Sequence, residues 1–189
     1  MTTSSVQGRT PPAAAIEHAP SGLRSPAVAA ALIIAAVSAG AILGAYFFQY
    51  VVDIPPCPLC YEQRIPHYIA VPLGLAVAGA AAGNAPRWLV AAGLAALALT
   101  LLTTAGIGVF HAGVEWKLWP GPSDCSGPIT SFGDAGTLLD QINKTSVVRC
   151  DEVRFRFLGL SLAGYNAIFS VILAGLAGWA LSRTLRRSA

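Results

Sequence analysis

Charge is what this chain has least of. Only 11% of its 189 residues are Asp, Glu, Lys or Arg, against roughly 25% in soluble domains. No charged residue occurs between Arg24 and Asp53, from Ile65 to Pro86, from Trp88 to Phe110, or from Phe157 to Ser182. A water-soluble core of this size is thereby excluded, and the net charge of +3 is too small to favour a nucleic-acid partner. A Gly-rich nucleotide loop, a CxxCH haem motif and an iron–sulfur cysteine cluster are also missing, since Tyr61 follows Cys60 and the chain has only four cysteines. Cysteine is absent from the apolar runs themselves, where it would pass as a small hydrophobe.

What is present is oil. Hydrophobic residues make up 54% of the chain and its mean hydropathy is +0.61. A helix of about 20 apolar residues crosses a hydrocarbon layer of about 30 Å. The four uncharged runs therefore predict an all-α integral membrane protein, a four-transmembrane-helix bundle with spans at about 27–50, 65–83, 88–110 and 158–182. Residues 1–24, rich in Ser, Thr, Pro and Ala, read as a disordered cytoplasmic tail rather than a signal peptide. The membrane domain is expected over 25–183, with a basic tail over 184–189. Small residues recur in the spans, as in "GLAVAG" and "GLAG", and permit close helix–helix approach. Pro66 suits a first helical turn and Pro72 should kink the second span.

Orientation follows from the basic residues. Arg9, Arg24, Arg87, Arg183, Arg186 and Arg187 lie in the two tails and the turn between spans two and three, against one acid there, Glu17. The positive-inside rule places both termini in the cytoplasm and the loops at about 51–64 and 111–157 outside. In the long loop, "SFGDAGTLLDQINK" carries an apolar stripe (Phe132, Leu138, Leu139, Ile142) that suits a short helix on the bilayer or packed on the loop.

All four cysteines fall in those outer loops, Cys57 and Cys60 in "PPCPLCYEQR", Cys125 and Cys150 in the longer one. An even count on an oxidising side argues for two disulfides. Pairing within each loop is natural, although other pairings are formally open. Zinc would want a second close pair or clustered histidines, and the histidines stand at 18, 67 and 111. A two-residue spacer closes too small a ring to constrain much chain, whereas CxxC is a recurrent redox unit. Cys60 stands near a helix start, where partial positive charge favours a thiolate, and Arg64 follows one turn later. Arg64 can equally be read as a headgroup anchor. His67 reads as an interfacial residue, Asn166 as a helix–helix bonding group, and Glu115, Trp116 and Trp119 as loop anchors. An electron acceptor dissolved in the bilayer, such as a quinone, requires none of the missing cofactor motifs.

These residues carry a resemblance. "CPLCYEQR" entering the second of four spans, a second cysteine pair in a long outer loop, and "FLGLSLAGYN" after "RCDEVRFR" together resemble the bacterial DsbB family of quinone-linked disulfide oxidoreductases. Gln63 departs from the acid frequent before the arginine, and "LAGYN" from a proline–tryptophan step. The resemblance implies an inner-membrane protein-dithiol:quinone oxidoreductase that uses ubiquinone or menaquinone as cofactor and a periplasmic thioredoxin-fold DsbA-like protein as partner. It implies that Cys57 and Cys60 form the quinone-coupled pair, with Cys60 nearer the quinone, and that Arg64 and, more loosely matched, His111 support quinone binding. Cys125 would form the mixed disulfide with the partner and Cys150 would resolve it. Competing readings are a related enzyme with a different dedicated partner or a vitamin K reductase-like activity, and a non-enzymatic assembly factor with structural disulfides.

Overall fold

The computed structural model describes residues 25–122 and 148–186. Cys125, the apolar stripe at 132–142, the tail over 1–24 and the last residues, 187–189, lie outside them. Four long helices dominate: α1 (Pro26–Tyr50), α2 (Pro58–Ala82), α3 (Arg87–Glu115) and α4 (Leu162–Arg186). Each is long and apolar enough to cross a membrane; 25 residues at 1.5 Å per residue reach about 37 Å. A two-residue antiparallel hairpin, β1 (Arg156–Phe157) and β2 (Leu160–Ser161), precedes α4. Its turn places Leu158 and Gly159 at φ 49° and 83°, the positive φ values that match the twist of a tight hairpin.

Helix starts follow local chemistry. Ser25 caps α1 by accepting from the Val28 amide, with Pro26 in the first turn; proline loses nothing there, because that N–H has no helical partner. Cys57 caps α2 in the same way, its sulfur accepting from the Cys60 amide at 3.3 Å, with Pro58 following. The helix thus begins at Pro58, ahead of the charged pair Glu62 and Arg64 rather than after it. Pro66 accordingly lies well inside α2, and the helix runs unbroken through both Pro66 and Pro72. At the other boundary α3 continues past Phe110, so His111 and Glu115 are helical residues rather than loop.

The tightest seams are α3 with α4 and α1 with α2. A Cβ on Gly74 would stand 2.9 Å from the Ala31 carbonyl, and one on Gly108 3.1 Å from Ala167. Glycine therefore sets the approach at both seams, as small residues do between membrane helices. The core centres on Ile34, Val90, Leu94, Leu97 and Leu101, all at 0% exposure, while large apolar side chains such as Leu43, Leu99 and Ile172 face outward. At one end of the bundle Arg87 donates to the Thr184 and Leu185 carbonyls at 2.6–2.8 Å. Those carbonyls lie in the last turn of α4, where a cation suits the helix dipole.

Candidate functional site

Cys57, Cys60 and Cys150 lie at the opposite end. Cys57 is buried and its sulfur is 2.8 Å from that of Cys60, both thiols free. The Cys57 thiol is held far above the ordinary cysteine range, first by its hydrogen bond with the Cys60 sulfur and then by burial. Cys150 is disulfide-bonded and 1% exposed. It packs in one small apolar cluster with Cys57, Leu59 and Val114, against which Cys60 and Val148 also lie. A member of each predicted pair is thus brought to one place by α2, the end of α3 and the segment after residue 148.

His111 stands at the junction of the two pairs. Its Nε2 is 3.6 Å from the Cys57 sulfur, its Nδ1 is 2.7 Å from the Gln63 amide nitrogen, and it hydrogen-bonds the Cys150 backbone. Glu115, one turn on, brings a carboxylate oxygen to 3.9 Å from Nε2. The second carboxylate oxygen is buried, with no hydrogen-bond partner within bonding geometry among the described residues.

Arg64 is buried on the side toward α1. It donates to Gln49 Oε1 at 2.7 Å and lies over the rings of Tyr46 and Tyr61, 5.6 and 5.1 Å from their centroids. Gln49 and the two rings hold the guanidinium at the end of the helix turn that begins with Cys60, within electrostatic reach of the Cys60 sulfur.

Polar residues that the sequence reading set aside extend the site inward. His67, expected at the interface, is instead buried, hydrogen-bonded to Ser38 at 3.3 Å and to Asn166 at 2.9 Å. Asn166 does bond other helices, reaching Gln63 at 2.8 Å and Thr104 at 3.0 Å. Glu115 is no surface anchor: its side chain is 7% exposed. Trp119 folds back, donating to the Phe110 carbonyl at 2.9 Å. Ionisable and amide side chains inside a span were the available signal.

A cavity of about 540 Å³ opens beside these groups, within the range of small-molecule and cofactor sites. Its walls come mainly from the apolar faces of α1 and α4, including Ala41, Phe48 and Phe169, and its polar end from Cys60, Arg64, His67 and His111. An apolar slot with a few convergent polar groups at one end suits a flat, lipid-soluble molecule carrying a polar head. Cys57, Cys60 and His111 also place three donor atoms within 4.8 Å of one another, a spacing that could hold a metal ion.

Four apolar helices carrying a close thiol pair beside a third, disulfide-bonded cysteine define a multi-pass membrane protein of thiol–disulfide chemistry. The family model described as "Disulfide bond formation protein DsbB" matches residues 27–180, and the chain belongs to that family. Among similar proteins, the "Disulfide bond formation protein B" of Saccharophagus degradans is 34% identical over 158 residues, covering 79% of this chain and 89% of the relative. Those of Marinobacter nauticus and Hahella chejuensis are 32% and 31% identical, covering 72% and 69% of this chain and 81% and 78% of the relatives. The protein is accordingly a disulfide-forming oxidoreductase of the membrane, and its role lies in protein folding.

Proposed function

We propose that the protein reoxidises a periplasmic DsbA-like dithiol protein and delivers the electrons to a membrane quinone, with both termini in the cytoplasm of a bacterium and the cysteines at the outer face of its inner membrane. The observation that carries this reading is the convergence of Cys57, Cys60, Cys150, His111 and Arg64 at the polar end of an apolar cavity walled by α1 and α4.

The relay divides into exchanges that balance. A partner thiolate attacks Cys125 of a Cys125–Cys150 disulfide; the new bond joins Cys125 to the partner, and Cys150 leaves with the electron pair. The partner's second thiolate then displaces Cys125, so the partner departs oxidised and the second pair is reduced. Cys150, buried beside Cys57, attacks a Cys57–Cys60 disulfide at Cys57 and Cys60 leaves as the thiolate. Closure of Cys125 onto Cys150 restores that disulfide and leaves the electron pair on Cys57 and Cys60. A quinone held in the cavity would supply the two-electron, two-proton sink for that pair. Arg64 would orient the polar head of the acceptor, and His111 would stand between the pairs, in contact with both. A DsbA-type partner is itself a strong oxidant, so an electron sink beyond thiols makes the transfer downhill.

Purified protein with added quinone tests the reading through its visible spectrum. A thiolate–quinone charge-transfer band is expected, and it should vanish in Cys60→Ser. In membranes, Cys57→Ser and Cys125→Ala should abolish oxidation of a DsbA-like dithiol while the bundle still folds. Wild-type rates in both variants would leave the cysteines structural and the protein an assembly factor.

A further inference from the structure

The buried amides beside the cysteines have a direction that can be worked out from two atoms. A main-chain carbonyl can only accept a hydrogen bond. Thr104 Oγ1 lies 3.0 Å from the Gln63 carbonyl, so the single hydroxyl proton of Thr104 is committed there. Its other neighbour, the Asn166 amide nitrogen at 3.0 Å, must then be a donor. The same nitrogen donates to Gln63 Oε1 at 2.8 Å, which turns the Gln63 NH₂ toward His111. A second carbonyl agrees: Gln63 Nε2 also lies 3.3 Å from the Leu59 carbonyl, so it too is a donor.

Gln63 Nε2 therefore donates to His111 Nδ1 at 2.7 Å. A neutral imidazole that accepts at one nitrogen carries its proton on the other. That proton sits on Nε2, which faces the Cys57 sulfur at 3.6 Å. The same sulfur also accepts from the Cys60 amide at 3.3 Å and stands 2.8 Å from the Cys60 sulfur. On the far side Asn166 Oδ1 is left to accept from His67 Nε2, and Ser38 donates to His67 Nδ1. The assignments along this path agree with one another, and the Glu115 carboxylate oxygen, 3.9 Å from Nε2, also faces the nitrogen that carries the proton.

We propose that Thr104, Asn166 and Gln63 are positioning residues that lock His111 as a neutral N–H donor to Cys57, so that the hydrogen bonds run one way toward the Cys57 sulfur. The arrangement is particular to an amide at position 63, because a carboxylate there would accept from Nδ1 instead. It also removes His111 from the metal-ligand set, since Nε2 offers a proton and not a lone pair to the site. The role assigned to the chain, to hold one donor on the Cys57 sulfur, rests on the redox reading above, but its geometry does not.

The test is nitrogen NMR of histidine-labelled full-length protein, reduced and without quinone. The His111 signals should show an unprotonated Nδ1 and a protonated Nε2. A proton on Nδ1 would overturn the proposal. Gln63→Glu, of the same size, should convert the ring to the doubly protonated form at neutral pH; an unchanged tautomer there would equally sink it. Thr104→Val should allow the Asn166 amide to invert and produce both tautomers, while Thr104→Ser, which keeps the hydroxyl, should restore the single one. A single unchanged tautomer in Thr104→Val would show that the hydroxyl does not set the direction. No readout depends on quinone, so failure here and loss of the charge-transfer reading are separate results.

Discussion

The two ends of the bundle are built on different principles. Toward Arg87 the helices meet through Ala27, Ala31, Ala81, Ala177 and Ala180, with Val90, Leu94 and Leu97 filling the centre. Toward the cysteines the interior carries Gln63, His67, Thr104, His111 and Asn166, joined by hydrogen bonds between helices. In lipid, apolar side chains gain little by leaving one hydrocarbon for another, so the first end is held by close packing. At the second end each polar group needs a partner, because an unpaired one away from water costs about 1–3 kcal/mol. The first end is filled by small and branched apolar side chains, whereas the polar network has a cavity beside it. Stability and chemistry are thus separated along the bundle axis.

The hardest test of that separation is Leu97→Ala. Leu97 is fully buried in α3 within the close-packed core. Large-to-small core changes cost about 2–5 kcal/mol, and the lower end, about 2 kcal/mol, is expected here because lipid is as apolar as the core. The midpoint of unfolding in detergent should fall, while the initial rate of dithiol oxidation at low temperature stays within about twofold of wild type, as for a distant, independent site. A proportionate loss of rate would mean that the dry end also shapes the site.

Arg64→Ala probes the other end. If the guanidinium, fixed by Gln49 and two tyrosine rings, holds the polar head of the acceptor, the KM for quinone should rise about tenfold, equivalent to one charge-assisted hydrogen bond. The unfolding midpoint should move less than for Leu97→Ala. Unchanged quinone kinetics would return Arg64 to the role of headgroup anchor.

Much of this contrast was legible in the chain. Four uncharged runs place four helices, and the i, i+4 spacing of Cys60 and Arg64 puts them on one helical face. The start of α2 was less visible, because Glu62 and Arg64 read as loop. In the fold Glu62 points outward while Gln63 and Arg64 turn inward, and Cys57 supplies the cap that lets the helix begin early. The polar network escaped for another reason. Thr104 and Gln63 are 41 residues apart, and Asn166 and Gln63 are 103 apart. No local spacing encodes such contacts, and a lone His67 or Glu115 near a membrane boundary looks like an anchor until its neighbours are known.

The smallest expected effect lies at the rim of the cysteine end, where Asp151 accepts hydrogen bonds from Arg149 at 3.0 Å and from Lys117. This contact ties the residues after α3 to the segment carrying Cys150. Arg149 first, then Lys117, hold the Asp151 carboxyl well below the usual carboxylate range. A depressed folded-state value means that the contribution is present above the unfolded carboxylate value of about 3.9 and is lost as pH falls through the folded one. Arg149 and Lys117 are solvent-exposed and Asp151 is half-buried, so water screens the contact and its contribution at neutral pH should be small. Asp151→Asn should therefore lower the unfolding midpoint slightly at pH 7, and the gap from wild type should narrow as pH drops below about 4. A gap that persists undiminished in acid would assign the effect to packing beside Cys150 rather than to charge, and would extend the close-packed principle to the rim of the site.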